Sequence, residues 1–358
     1  MSSLVELTID LKQESWTAFC TGVYPNLKTL ELRIGLQVWL SEDSHWHESA
    51  LLHPFPQLER LKLLPSAARK CIPILQLTFP SLHILEFGTT SQWLIESIDE
   101  EMVVQYAQFV ERHPTIQVIS LGRNYVRSMG RIMQSTKNLR ALHASLPFSD
   151  GSLRSVPESL DAAPHITHLR LSGLLTSVLT FLKCAHTFPH FRCLELDCEN
   201  AKDFDFILQL PTSRHDTLFH FSQLRELAPS LVEVAFDISF RSQMPVQETL
   251  LTLLERLQGC GELRALRLRN LDLEPSAAEF PIELVEHAEA IPPKLQFIVW
   301  GDGRSVRAYQ LNSDHDSSGC KKVTRISLPH STPSNGRWSL DWHEESVFDH
   351  INQIFDVY

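Results

Sequence analysis

Residues 80–87 read Pro80-Ser81-Leu82-His83-Ile84-Leu85-Glu86-Phe87, and residues 25–32 read Pro25-Asn26-Leu27-Lys28-Thr29-Leu30-Glu31-Leu32. The shared phrase is Pro-x-Leu-x-x-Leu-x-Leu, and it decides the fold because it recurs. It returns with conservative swaps at 56–63, 114–121, 164–171, 189–196 and 293–300. Without its proline it appears as Leu139, Leu142, Ala144, then as Leu231, Val234, Phe236 and as Leu263, Leu266, Leu268. The chain opens mid-phrase with Leu4, Leu7 and Ile9, and a last copy reads Val323, Ile326, Leu328. Self-similarity at intervals of a few tens of residues marks an array of stacked units.

Alternation in the last part of each phrase is that of a short strand whose side chains point to opposite faces in turn. One set of positions carries leucines, which a single unit cannot bury; stacking does that. The expected fold is therefore an α/β solenoid, a horseshoe with a parallel sheet on its concave face and helices on its convex face. Helical spacing fills the connectors. Ile95, Ile98, Met102, Tyr106 and Phe109 lie on one face of a segment from Trp93 to Arg112. Val246–Gln258 repeats the pattern before Gly259, as does Leu174–Thr187. Leading residues of successive copies lie from 23 (Ile116 to Leu139) to 40 (Phe191 to Leu231) residues apart, so the repeats are irregular. Asn124 stands three residues after Leu121, where an asparagine ladder would fall.

Residues 1–300 read as the solenoid and 301–358 as a C-terminal capping segment. Gly301-Asp302-Gly303 reads as a turn, Asn312–Lys322 as an exposed polar loop, and Glu344–Asp356 as a helix with Val347, Phe348, Ile351, Ile354 and Phe355 on one face.

Composition narrows the function. A net charge of −11 disfavours a broad nucleic-acid or anionic-membrane surface. The odd count of seven scattered cysteines fits free thiols in a reducing compartment rather than a disulfide framework. No leader-like start and no bilayer-length apolar run is present, which gives the expectation of an intracellular protein, cytoplasmic or nuclear.

Seventeen histidines invite a search for a metal site. The close pairs, such as His165 with His168 and His186 with His190, lack a cysteine or carboxylate at ligand spacing, so no metal is expected. Cys193 and Cys198 are not in a Cys-x-x-Cys arrangement and read as small packed thiols. No phosphate-binding glycine loop and no Gly-x-Ser-x-Gly elbow occurs, and the expectation is a protein that is not an enzyme and carries no cofactor.

The strand positions between the leucines face the other way, toward solvent or a partner. They include Glu31, Arg33, Glu86, Ser120, Glu233, Phe297 and Val299. From this row we take Arg60, Lys62, His143, His168, Arg170, Glu195, Asp197, Arg267 and Arg269 as candidate partner-binding residues. Banded charge on such a face would steer a partner of complementary charge.

The phrases at 25–32 and 80–87 resemble leucine-rich repeats, and in particular the repeat region of fungal F-box proteins. The segments Lys294–Gly303 and Trp338–Ser346 resemble C-terminal stretches of such proteins from mushroom-forming fungi. The resemblance implies recognition of a protein target by an SCF-type ubiquitin ligase. The F-box itself, an N-terminal helical module, is not expected within this sequence, because the repeats read from Leu4. A Skp-type adaptor and a cullin are thus expected as partners only if an F-box is supplied elsewhere. The alternative is a standalone leucine-rich-repeat scaffold or inhibitor that clamps a protein partner. Neither nucleic acid nor membrane is expected as a partner.

Overall fold

The computed structural model describes residues 3–11, 22–35, 55–66, 68–88, 99–123, 125, 129–146, 165–184, 190–199, 221–238, 246–270, 280–288, 290–302, 306–313 and 321–326. Seven of the phrases open on a described reverse turn, those led by Leu27, Leu58, Leu82, Ile116, Leu231, Leu263 and Leu295. The N–H groups of Leu27, Leu58, Leu82 and Ile116 donate to the carbonyls three residues back at 3.3, 3.3, 3.2 and 3.1 Å. Proline fills the second place of these turns, where its fixed φ is already the one required and its missing N–H is not needed. Two successive N–H groups then converge on one carbonyl of the preceding copy; those of Glu59 and Arg60 both reach the Lys28 oxygen at 2.9 Å. Side chains stitch the same seam, with Thr115 Oγ1 donating to the Leu82 carbonyl at 2.6 Å and Asn138 Nδ2 to that of Pro114 at 2.8 Å. Stacking is thereby written into the turn before the strand begins.

The chain divides into two compact units, Met1–Pro147 with Gly151–His165, and Phe148–Asp150 with Ile166–Tyr358. The first holds β1 (Glu6–Leu11), β2 (Thr29–Ile34), β3 (Arg60–Pro65), β4 (Ile84–Phe87), β5 (Val118–Leu121) and β6 (Ala141–Ser145), paired in that order and all parallel. The second holds β7 (His168–Leu174), β8 (Cys193–Glu199), β9 (Glu233–Ile238), β10 (Ala265–Asn270) and β11 (Phe297–Asp302), again parallel, followed by β12 (Val306–Ser313) and β13 (Lys321–Ile326), which are antiparallel.

Register follows the phrase without a slip. Leu7, Leu30, Leu61, Leu85, Ile119 and Leu142 are partners strand by strand, as are Leu169, Leu194, Val234, Leu266 and Ile298. Leu7 and Ile9 are half-buried, but from Leu30 to Trp300 none of these phrase residues is more than 3% exposed. At about 25 cal/mol per Å² of apolar surface, these columns are the main favourable term of the fold.

The helices are short and few among the described residues: α1 (Ile72–Leu75), α2 (Glu100–Arg112), α3 (Met129–Gln134), α4 (Leu175–Cys184), α5 (Leu224–Leu227), α6 (Val246–Leu257) and α7 (Ile282–Glu286). α2 begins where Asp99 accepts the Met102 N–H at 2.9 Å, with Glu100 and Glu101 in its first turn and Arg112 in its last. That cap and those charges suit the helix dipole, and they set the start seven residues later than the periodicity from Trp93 suggests. Met102, Val103, Tyr106, Phe109 and Val110 form its buried stripe. α4 and α6 occupy the connectors read as helices at 174–187 and 246–258.

A second column runs through the first unit beside the leucines. The residue before Pro25, Pro56, Pro80 and Pro114 is aromatic, and each ring packs on the next: Tyr24 stacked on Phe55 at 5.4 Å, Phe55 tilted against Phe79 at 5.8 Å, Phe79 stacked on His113 at 5.7 Å. His113 is 1% exposed. Its Nε2 accepts the Phe79 N–H at 2.8 Å, so Nδ1 carries the proton and donates to the Phe109 carbonyl at 2.6 Å. This neutral ring joins two copies of the repeat.

The C-terminal expectations need correction. Val323 and Ile326 do not open a further parallel copy; they lie in β13, antiparallel to β12. Asn312 and Lys322, read as ends of a loop, are paired to each other in those strands, and Gly301 and Asp302, read as a turn, are the end of β11. Val306, Ala308 and Gln310 alternate with Arg307, Tyr309 and Leu311 as in a strand, but Arg307 at a position where the phrase has leucine hid it beside the leucine phrases. Asn124 and the helix read at 344–356 lie outside the described residues.

Candidate functional site

Residues between the leucines make the second face of each sheet, and the two units treat it differently. In the first unit the central row is Thr8, Glu31, Lys62, Glu86, Ser120 and His143, adjacent by register. Asp10 and Arg33 stand beside it. Arg33 Nε donates to Glu31 at 2.7 Å, Lys62 Nζ lies 3.3 Å from the other Glu31 oxygen, and Ser120 Oγ is 2.9 Å from His143 Nδ1. Arg33 keeps about half of its side chain in solvent (48%), Lys62 a quarter (23%), and Asp10 most (74%). Burial pulls the Glu31 carboxyl up, but the Arg33 and Lys62 cations outweigh it and hold it below the usual carboxylate range. The row is a chain of alternating charge, partly wet and open to contact.

Glu86 is the exception in that row. It is buried, and burial pushes its carboxyl up to about 7 although Lys62 and Arg60 oppose the shift. Its Oε1 has no hydrogen-bond partner among the described residues.

In the second unit much of the same face is buried, against expectation. Arg170 is 7% exposed, Glu195 and Glu233 are each 1%, and Phe297 and Val299 are 3% and 5%. Small residues explain how the charges sink. Ala235 stands between Glu195 and Arg267 in the register, and Cys193 and Ala265 flank Glu233. Long side chains can lie flat across such gaps. Arg267 reaches Glu195, and its Nε is 2.6 Å from Glu233. Arg170 Nη2 is 3.3 Å from Asp197 Oδ2. Beside this network Ala265, Phe297, Val299 and Ala308 form an apolar cluster on the same face, with Ile326 packed against it. The two antiparallel strands thus extend an apolar patch where the phrase predicted a wet surface.

Burial pushes the Glu195 carboxyl up to about 7, with Arg267 and Arg170 pulling the other way. Burial also opposes the Arg267 charge, but Glu233 and Glu195 outweigh it and raise its pKa further. The direction that follows is a guanidinium that stays charged and a Glu195 that ionises late. Two arginines meet three carboxylates here (Glu195, Asp197, Glu233), so one proton balances the cluster.

The candidate residues therefore separate. Arg60, Lys62 and His143 lie partly exposed on the first unit's face, and His168 is partly exposed on β7. Arg170, Glu195 and Arg267 are structural in their surroundings, while Asp197 keeps 30% of its side chain in solvent. Arg269 is in β10, and its side chain lies outside the described residues. The thiols of Cys71, Cys193 and Cys260 are buried, and burial pushes Cys71 up to about 12 and Cys260 to about 11. Among the described residues no group of three or more His, Cys, Asp or Glu could hold a metal ion. Nor is any described helix long and apolar enough to cross a membrane. No protein-family model matches this sequence, and no curated protein matches it.

Proposed function

We propose that the chain is a leucine-rich-repeat protein that holds a protein target on the polar face of its β1–β6 sheet, by binding and not by catalysis. The observation that carries this reading is the division of each strand. In β2 and β3 every second residue is buried, and those between, from Thr29 to Arg33 and from Arg60 to Leu64, are partly or fully exposed. A flat row of Asp10, Arg33, Glu31, Lys62 and His143 offers many polar contacts at fixed spacing, which suits recognition of a folded surface. Its charges already touch one another, so they would add specificity and encounter rate more than affinity. Taken with the resemblance to the repeats of fungal F-box proteins, the role is target recognition for an SCF-type ubiquitin ligase.

The test is affinity capture from the native lysate with the wild-type chain and with R33E/K62E. Both side chains are exposed enough for reversal without loss of the fold. A protein held by the wild type and lost by the variant supports the reading, and a Skp-type adaptor and cullin among the proteins held support its ligase form. Equal capture by the variant contradicts it.

A further inference from the structure

Past the last parallel strand, the leucine columns turn cationic. Leu266, Ile298, Tyr309 and Arg325 are successive partners across β10 to β13, and Leu268, Trp300 and Arg307 are partners one step along. The side of the sheet that holds the core elsewhere is thus finished with two arginines. α7 covers only part of it. Glu286 Oε1 accepts the Val323 N–H at 2.9 Å and pins the helix over β13. Beyond that contact a groove of about 590 Å³ opens between α7 and the two strands. Its floor is Tyr309, stacked on Phe280 at 4.0 Å, and its helical wall is Ile282 and Leu284, which are 38% and 43% exposed. Arg307, partly exposed, and Arg325, exposed, line it from β12 and β13.

Three features of this groove concern a ligand. The two aliphatic side chains are among the few large apolar residues left in solvent among the described residues, and both line one cavity rather than standing singly. Neither guanidinium forms an ion pair among the described residues. Glu283 also borders the groove and is joined to neither of them by a salt bridge there. Finally, the volume falls in the range of sites that take a small ligand or a few residues of a peptide.

We propose that this groove binds an acidic linear peptide in which an aliphatic or aromatic side chain lies next to a carboxylate. The carboxylate would take the arginines as a planar fork, and the apolar side chain would lie between Tyr309 and the Ile282–Leu284 wall. Nucleic acid is the poorer fit, because a chain of net charge −11 repels a polyanion beyond the reach of two arginines. The site is separate from the β1–β6 face, so it goes beyond the target-binding reading and stands or falls apart from it.

The probe is a fluorescein-labelled peptide with the core Glu-Leu-Asp-Phe flanked by glycine and serine, titrated with the full chain and followed by anisotropy. Saturable binding is expected, weakened about tenfold or more with a Gln-Leu-Asn-Phe core and likewise by R307Q/R325Q. Both arginines keep solvent exposure, so R307Q/R325Q should melt with the wild type; I282S/L284S is a second variant expected to weaken the peptide without touching its carboxylates. R33E/K62E should bind the peptide unchanged, which separates failure here from failure of the sheet-face reading. Absence of saturable binding, equal binding by R307Q/R325Q, or equal binding of sodium oleate or a single-stranded oligonucleotide would overturn the proposal.

Discussion

Replacing Arg267 by methionine tests the buried charge network of the second unit. Methionine keeps most of the length and apolar stem and removes the cation. Arg267 is 11% exposed in its side chain, and Glu195 and Glu233 are 1% and 2%. Two carboxylates would then lie buried without their shared guanidinium. Breaking one partner out of such a pair costs about 3–5 kcal/mol. The pH dependence is the sharper signature. Glu195 has a folded-state pKa near 7, raised from 4.5 by burial. A raised carboxyl favours the fold below its unfolded pKa and loses that advantage as pH rises through 7. At pH 8 the cost of ionising it is already about 3 kcal/mol at ~1.4 kcal/mol per pH unit, and R267M increases it. At pH 5.5 Glu195 holds its proton, so the R267M penalty should shrink to roughly half. Urea unfolding followed by circular dichroism at the two pH values reads both numbers. R267M/E195Q should regain most of the loss at pH 8. A penalty below about 1 kcal/mol at pH 8, or one that does not change with pH, would refute the account of this network.

Three further outcomes follow from the first unit. E86Q should stabilise the protein by about 1–2 kcal/mol at pH 8 and by close to nothing at pH 4, because burial raises this carboxyl from 4.5 to about 7 and the cost builds up as pH rises between the two values; the difference in urea midpoint across pH reads it. His113 has its pKa lowered chiefly by burial, so its contribution is full above the ordinary histidine value and is lost as pH falls through the lowered one. Thermal melts of H113Q, set against the wild type, should lack that acid-side step. F79A should cost about 3–5 kcal/mol, since it removes a ring 1% exposed that bridges Phe55 and His113; a loss under 1 kcal/mol in urea unfolding would mean that the aromatic column carries no packing energy.

The strands were legible because one phrase states both a turn and an alternation. Leu30 and Leu85 point inward for the same reason, and the register between them needed no structure. The aromatic column was equally present in the letters: Tyr24, Phe55, Phe79 and His113 each precede a phrase proline, but reading the phrase from its proline onward leaves them out. Burial of the second unit's outer face was not legible. Glu195 and Arg267 are 72 residues apart, and only the register shows that Ala235 between them leaves room for a bridge. Periodicity marks which face a residue is on and says nothing about what covers that face. β12 was missed for a related cause, as a strand with arginine at a core position looks like a loop until its partner is known, and β13 was read as a parallel copy because Val323 and Ile326 fit the phrase while nothing in the letters gives the strand's direction. The groove beside α7 follows from those same strands, and so it too needed three dimensions.

The central claim is that a protein target sits on the polar face of β1–β6, and site-specific photo-crosslinking tests it most directly. A photoreactive residue placed at Arg33 or His143 samples that face, and one placed at Gln108 or Glu111 samples the exposed side of α2. Each version is irradiated in the presence of the protein captured by the wild-type chain. Crosslinks from 33 and 143 with none from 108 and 111 are the predicted result. Crosslinks from α2 alone would contradict the claim and move the partner to the helical side.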